Sequence, residues 1–327
     1  MKIDQKLMTP DILDTTIHQY QDFIDRLTEY SDIVPDISKI RSNHNFESAT
    51  LAAGLVFRTQ IESINSALAD EDRAIIAVDI VESDQLTATE NAFWGVMTAL
   101  SIGSNVFHLS TDRTNDTPFT LYAASYERSQ ELEARGLATV APETKLGFHT
   151  DGVINGGTVA MPHNILPYNL TINYQKPGDF HWVPFSLWSD KAIFMKKIGV
   201  GTNYRLKVTP SVYEVNGRLE SPFPTEVEVP IFLNSESLNF PLYLNGNVLG
   251  ARNNPTFDLS IIEDLKRSLS HSDVLFSIPQ KTRRMIVACN LKGAHARDVF
   301  EIPIPDVKYT RLFMRTVDTN VVDLNTK

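Results

Sequence analysis

Hydrophobic and polar positions divide the chain into two textures. Up to residue 103 the apolar residues recur at helical spacing. Over 12–30, Ile12, Ile17, Tyr20, Phe23, Ile24, Leu27 and Tyr30 fall three and four residues apart, which predicts an amphipathic helix. A second such pattern, rich in alanine, spans 46–68, with Asn43 or Asn45 placed to cap its start. Thr87-Ala88-Thr89-Glu90 has the form of a capping box, in which the hydroxyl and the carboxylate each accept from the other residue's exposed backbone N–H. The helix it opens is predicted to pass through Phe93, Trp94 and Met97 and to end at Gly103 in a left-handed cap. Between the second and third helices, 74–80 is short, branched and strand-like.

From about residue 104 short runs separated by Gly, Pro and Asn take over, at 119–126, 168–174, 182–188, 204–215, 226–233 and 242–249. Asn169-Leu170-Thr171-Ile172-Asn173-Tyr174 alternates strictly, as a half-buried strand requires. A helix at 260–270 interrupts, with Ile261, Ile262, Leu265 and Leu269 on one face, and strands resume at 274–278, 285–289 and 310–317. No repeat or linker divides the sequence. The pattern predicts one domain over 1–327, mainly β with flanking helices: a helical layer over 1–103, then a jelly-roll core over 104–327 with a helical insertion near 260–270.

Composition narrows the function classes. A formal charge of -10 argues against nucleic acid or an anionic membrane as partner, because phosphate binding needs clustered Lys and Arg. No window approaches a bilayer span and no apolar leader follows Met1. With a single cysteine, Cys289, set in an apolar run and read as core, a cytoplasmic protein is expected. Asn115 and Asn169 head Asn-x-Thr sequons, which without secretion carry no glycan. The amphipathic N-terminal helices suit either packing on the barrel or a dimer contact, so monomer and homodimer both remain open.

Candidate chemistry sits in two places. Lys145-Leu146-Gly147-Phe148-His149-Thr150-Asp151-Gly152 holds a His-x-Asp tripeptide whose imidazole and carboxylate project to one side if it is a strand. Far downstream, His295 follows an apolar strand and a glycine, and Arg311 and Arg315 lie on a later apolar strand. Two His and one carboxylate leave three positions open on an octahedral ion, the facial triad of non-haem Fe(II) oxygenases. Buried arginines are costly unless they meet an anion, and one beside such a metal can hold the far carboxylate of a chelating 2-oxo acid.

These residues resemble the clavaminate synthase-like branch of the taurine dioxygenase superfamily of 2-oxoglutarate oxygenases. The family pairs H-x-D/E with a distal H-G-R-x-x-F and then R-W-L-x-R. Here the motifs read His149-Thr150-Asp151, then His295-Ala296-Arg297-Asp298-Val299-Phe300 with Ala for Gly, then Arg311-Leu312-Phe313-Met314-Arg315. The resemblance covers roughly 119–317. It implies a double-stranded β-helix in which His149, Asp151 and His295 bind Fe(II). Arg311 then meets the 2-oxoglutarate C5 carboxylate, while Arg315 shares that task or binds a substrate carboxylate. The family's second cosubstrate contact, a Thr, has no counterpart over 176–182, which leaves Ser186 or His181 to stand in. Asp151 fills the position that related halogenases keep small, so the implied reaction uses O2 for oxygenation and releases succinate and CO2.

The implied substrate is a small polar molecule such as an amino acid, with Arg128, Asn155, Thr158 and Arg315 as candidate contacts and the stretch 152–157 read as a flexible loop over the iron. Two rival readings are a cupin-type metal dioxygenase needing no 2-oxoglutarate, and a non-catalytic β-sandwich binding protein. The first has no use for Arg311 and Arg315, and the second none for a metal.

Overall fold

The computed structural model describes residues 23, 24, 27, 37, 40, 44–111, 117–125, 127, 129, 130, 141–155, 158–208, 213–215, 218–220, 225–252, 254 and 256–324. The pattern over 12–30 lies outside these, apart from Phe23, Ile24 and Leu27, which are helical and buried. In chain order come α1 (His44–Val56), α2 (Arg58–Ala69), β1 (Ile75–Asp79), α3 (Ala88–Val106), β2 (Thr120–Ala124), β3 (Leu146–His149), β4 (Val153–Asn155), β5 (Thr158–Pro162) and β6 (Asn164–Ile172). Next are β7 (Tyr174–Lys176), β8 (Phe180–Pro184), α4 (Lys191–Ile198), β9 (Asn203–Val208), β10 (Tyr213–Val215), β11 (Arg218–Glu220), β12 (Thr225–Pro230) and β13 (Asn247–Ala251). The chain closes with α5 (Ser260–Ser270), β14 (Phe276–Ile278), β15 (Arg284–Cys289), β16 (Gly293–Arg297), β17 (Glu301–Pro303), β18 (Arg311–Val317) and β19 (Val321–Asp323).

Two antiparallel sheets form the centre: β1-β15-β6-β18-β2 and β14-β8-β16-β3. Alternation along the strands sorts side chains between three cores. Leu166, Tyr168, Leu170 and Met314 leave the five-stranded sheet on the side where α1–α3 pack. Ile165, Val317, Ile286, Ala288, Phe180 and Trp182 meet in a core shared by the two sheets. Val183, Ala294 and Ala296 leave the four-stranded sheet on its far side, toward α4, α5 and the β12-β9-β13 sheet. The insertion between β8 and β14 is therefore more than the expected single helix. No helix among the described residues is long and apolar enough to cross a membrane.

Two local expectations change. The helix predicted over 46–68 is two helices, because Phe57 leaves helical dihedrals (φ -106°, ψ 26°) and buries its ring against Phe23 at 5.2 Å. The Thr87 capping box forms, but α3 runs past Gly103 to Val106. Gly103 serves packing: a Cβ there would stand 2.8 Å from Leu166 Cδ1 on β6, and that side chain would have to shift to admit it.

Candidate metal centre

Register brings the two histidines together. His149 closes β3, His295 lies inside β16, and the two are strand partners, so their rings sit 4.1 Å apart. Asp151 arrives differently from the expectation, since β3 ends at His149 and the acid lies just beyond it. Thr150 turns the chain there: its N–H donates to the Leu244 carbonyl at 3.0 Å, and its hydroxyl accepts from the Leu244 N–H at 2.9 Å. Asn290 grips the next peptide, its Oδ1 accepting from the Asp151 N–H at 2.8 Å and its Nδ2 donating to the Asp151 carbonyl at 3.0 Å. Gly152 follows because a Cβ there would collide with the Tyr243 ring, 2.7 Å from Cε2.

The carboxylate then faces both imidazoles. Its Oδ1 is 4.0 Å from His149 Nε2, and its Oδ2 is 3.9 Å from His295 Nε2. One donor atom from each of the three residues lies within 4.8 Å of the others. Three donors each about 2.1 Å from one ion stand about 3 Å apart, so a closing of about 1–2 Å completes a facial set.

Protonation suits a divalent ion. Burial, with the Arg315 and Arg297 charges, outweighs Asp151 and pushes the His149 imidazole down. His149 Nδ1 meets the Gly147 carbonyl at 2.9 Å, a contact in which Nδ1 carries the proton and Nε2 keeps its lone pair. Burial and the neighbouring His149 push His295 down to about 3. Its Nδ1 has no partner among the described residues, and its plane is set by Phe180, stacked at 5.4 Å and 8°. Burial alone would raise the Asp151 carboxyl, but Arg315 and the two histidines hold it at about 2. Near neutral pH the set is two neutral imidazoles and one carboxylate, the donor chemistry of Fe(II).

The two arginines occupy different surroundings. Arg315 forms an ion pair with Asp151, its Nη2 lying 2.7 Å from Oδ2. Arg311, also buried, hydrogen-bonds only neutral oxygens among the described residues: Asn169 Oδ1 at 3.1 Å from Nε and 2.8 Å from Nη2, and Gln280 Oε1 at 2.9 Å from Nη2. Its guanidinium lies over Phe313 at 4.1 Å and Phe300 at 4.9 Å. Burial and the nearby Arg297 disfavour its charge. Arg297 is committed to the backbone, its Nη2 donating to the Ala141 and Thr144 carbonyls at 2.6 and 2.8 Å.

Other sequence candidates fare unevenly. Arg128 and the side chain of Asn155 lie outside the described residues. Thr158 is exposed and pairs with Asn155 in the β4–β5 hairpin, so the flanks of the expected loop are strands. His181 faces away from the metal residues, pairing with Ala296 and Ser277. It is held between Asp298 (2.6 Å) and Ser277 (2.9 Å). Ser186 donates to the Glu71 carbonyl at 2.6 Å. Phe180, Trp182, Phe185 and Trp188 are buried core, as expected, and burial pushes the Cys289 thiol up. Asn169 is buried on Arg311, so its sequon offers no glycan site. Thr150, Asn169, Gln280 and Asn290 escaped the sequence reading.

No family model matches the sequence, and no curated protein is matched by it. Solved structures do match. Asparagine oxygenase, in complex with Fe(II), 2S,3S-3-hydroxyasparagine and succinate, gives a TM-score of 0.61 at 13% identity, over 93% of this chain and 93% of its own. The non-heme iron oxygenase OrfP, with Fe and alpha-ketoglutaric acid, gives 0.63 at 11% identity over 95% and 94%. The same protein with Fe, succinate and (3S)-hydroxy-L-Arg gives 0.62 at 10% identity over 94% and 93%. The chain has the fold of these two oxygenases, a double-stranded β-helix.

Proposed function

We propose that this chain is an Fe(II)- and 2-oxoglutarate-dependent oxygenase that hydroxylates a C–H bond of a free or derivatised amino acid. The observation that carries the reading is the convergence of His149, Asp151 and His295, from two stretches of chain far apart in sequence, on a point between the sheets. Their fit to the metal rests on donor chemistry: two neutral imidazoles and an ionised acid hold Fe(II) with no proton to displace. When bound, iron with 2-oxoglutarate and O2 supplies the oxidising chemistry, ending in succinate and CO2.

The protein's part is to bind and orient. Arg311 is a buried cation whose hydrogen bonds among the described residues all go to neutral amide oxygens, a setting that favours an incoming carboxylate. It is therefore the anchor for the distal end of 2-oxoglutarate, and it supports this reading over a metal dioxygenase with no dicarboxylate to hold. Phe300 and Phe313 keep its fork flat and shielded from water. The amino-acid substrate class is supported by the ligands of the structural neighbours, a hydroxyasparagine and a hydroxyarginine. The test is a panel of amino acids and their amides incubated with protein, Fe(II) and 2-oxoglutarate. Substrate-dependent succinate with a product one oxygen heavier is expected, and no stimulation by any panel member removes the substrate class.

A further inference from the structure

A second set of reactive side chains lies on the opposite face of the same four-stranded sheet. Alternation along β8 turns Phe180 and Trp182 toward the core between the sheets, where Phe180 stacks on His295. His181, between them in sequence, points the other way. Its strand partners are Ser277 on β14 and Ala296 on β16, and Asp298 stands just past the end of β16. His181 Nε2 lies 2.6 Å from Asp298 Oδ2, and Ser277 Oγ lies 2.9 Å from His181 Nδ1. Lys145 Nζ sits 3.3 Å from the other Asp298 oxygen.

The proton positions follow from charge. A carboxylate only accepts, so Nε2 carries the proton of a neutral His181 and Nδ1 is left with a lone pair. The Ser277 hydroxyl then donates to it. That is the relation of nucleophile, base and orienting acid in a serine hydrolase, with the two ring nitrogens exchanged. Burial alone would raise the Asp298 carboxyl, but His181 and Lys145 hold it below its ordinary value, so the orienting acid is ionised. The group is open to ligands. β14 is the outer strand of its sheet, Ser277 is half-buried, and the Asp298 side chain is 40% exposed. Nor does the strand itself call for a serine, since a β-branched residue between Phe276 and Ile278 would suit it better.

We propose that Ser277, His181 and Asp298 form a second reactive site, a hydrolytic one, for small esters with a good leaving group. His181 takes the Ser277 proton as Oγ bonds to the ester carbonyl carbon. The bond from that carbon to the alcohol oxygen breaks, and the alcohol leaves with the proton. Water then gives a proton to His181 and its oxygen to the acyl carbon; Ser277 departs, recovers the proton and leaves a free acid. Nothing is oxidised or reduced. Through both steps Asp298 keeps the imidazole in one orientation and offsets its transient charge. The substrate class follows from what the three side chains supply, a nucleophile and a base: a departing phenol or enol demands less oxyanion stabilisation than an amine. Iron takes part in neither step, so the inference goes beyond the function proposed above.

The test is covalent capture. The protein, with and without Fe(II), is incubated with a fluorophosphonate, on which attack by Oγ forms an O–P bond and expels fluoride. Peptide mass spectrometry locates the adduct. An adduct on Ser277 is expected, formed at the same rate with and without the metal. His181→Gln should slow it by about 100-fold or more. Asp298→Asn should slow it too, because the amide can present an N–H and turn the imidazole to the wrong tautomer. Hydrolysis of p-nitrophenyl acetate should fall in parallel in Ser277→Ala, which removes one oxygen from an edge strand and is the variant least disposed to misfold. A wild-type protein with no adduct on Ser277, or labelling undiminished in His181→Gln and Asp298→Asn, would overturn the proposal and leave the three as structural partners. Neither readout needs iron or 2-oxoglutarate, so both stand whether or not the oxygenase reading holds.

Discussion

Replacing Arg311 with methionine separates a cosubstrate anchor from a structural arginine. Methionine keeps an unbranched stem between Phe300 and Phe313 but removes the fork. In the bound state the guanidinium would exchange neutral acceptors for a carboxylate. Two charge-assisted hydrogen bonds at about 1.5–3 kcal/mol each bracket the loss, and after relaxation about 3 kcal/mol is expected, on the order of 100-fold in the 2-oxoglutarate dissociation constant. The effect on folding is smaller. Asn169 Oδ1 and Gln280 Oε1 lose their donor, at about 1–3 kcal/mol each, while removing a buried cation beside Arg297 offsets much of that. A net change within about 2 kcal/mol follows, readable as a modest shift of the urea midpoint. Fe(II) affinity should hold, because Arg311 bonds Asn169 and Gln280 and none of the three metal residues. The assay is titration of the Fe(II)-loaded protein with 2-oxoglutarate beside denaturant melts of the metal-free protein. Unchanged 2-oxoglutarate affinity with a stability loss above about 4 kcal/mol would refute the reasoning and make Arg311 a core residue.

Three further predictions concern the scaffold. Asn290→Ala leaves the Asp151 N–H and the Asp151 and Pro162 carbonyls without a buried partner. It should cost about 3 kcal/mol in denaturant melts and weaken Fe(II) binding, whereas an unaltered melt would mean that solvent replaces the amide. Burial alone would raise the Asp79 carboxyl, but Arg284 and Lys281 hold it below its ordinary value. Its contribution is therefore full above about pH 4 and fades as pH falls through the lowered value. Asp79→Asn should cost about 2–3 kcal/mol at pH 7, with the gap to wild type shrinking steadily as pH falls below about 4; a gap that is independent of pH in acid contradicts the ion pair. Thr87→Ala removes the α3 capping box and should lower stability by about 1 kcal/mol, with no change in metal binding.

Much of the scaffold is legible in the sequence because local patterns decide it. The helix over Ser260–Ser270 has one clear apolar face and appears with both ends as expected. The capping box at Thr87 forms as its residues demand. Expectations fail where distant chain intervenes. Gly103 reads as a helix end until Leu166 is known to press on it. Asn169 alternates with apolar neighbours like a solvent-facing strand residue, yet it faces the interior because β6 pairs with β18 and Arg311 needs an acceptor. The His-x-Asp tripeptide is visible as a metal signal, but its geometry is set by Leu244, 94 residues from Thr150, and by Asn290, 139 residues from Asp151. A polar residue inside an apolar strand, such as Asn169 on β6, or closing one, such as Asn290 after β15, is the signal that points to such partners.

Anaerobic titration of the metal-free protein with Fe(II) and then 2-oxoglutarate tests the central claim most directly. One Fe(II) per chain is expected, followed by a visible charge-transfer band on adding 2-oxoglutarate. Both should be lost in His149→Ala and His295→Ala, and the band alone lost or strongly weakened in Arg311→Met. A wild-type protein that takes up no Fe(II), or holds it equally well without either histidine, would contradict the account.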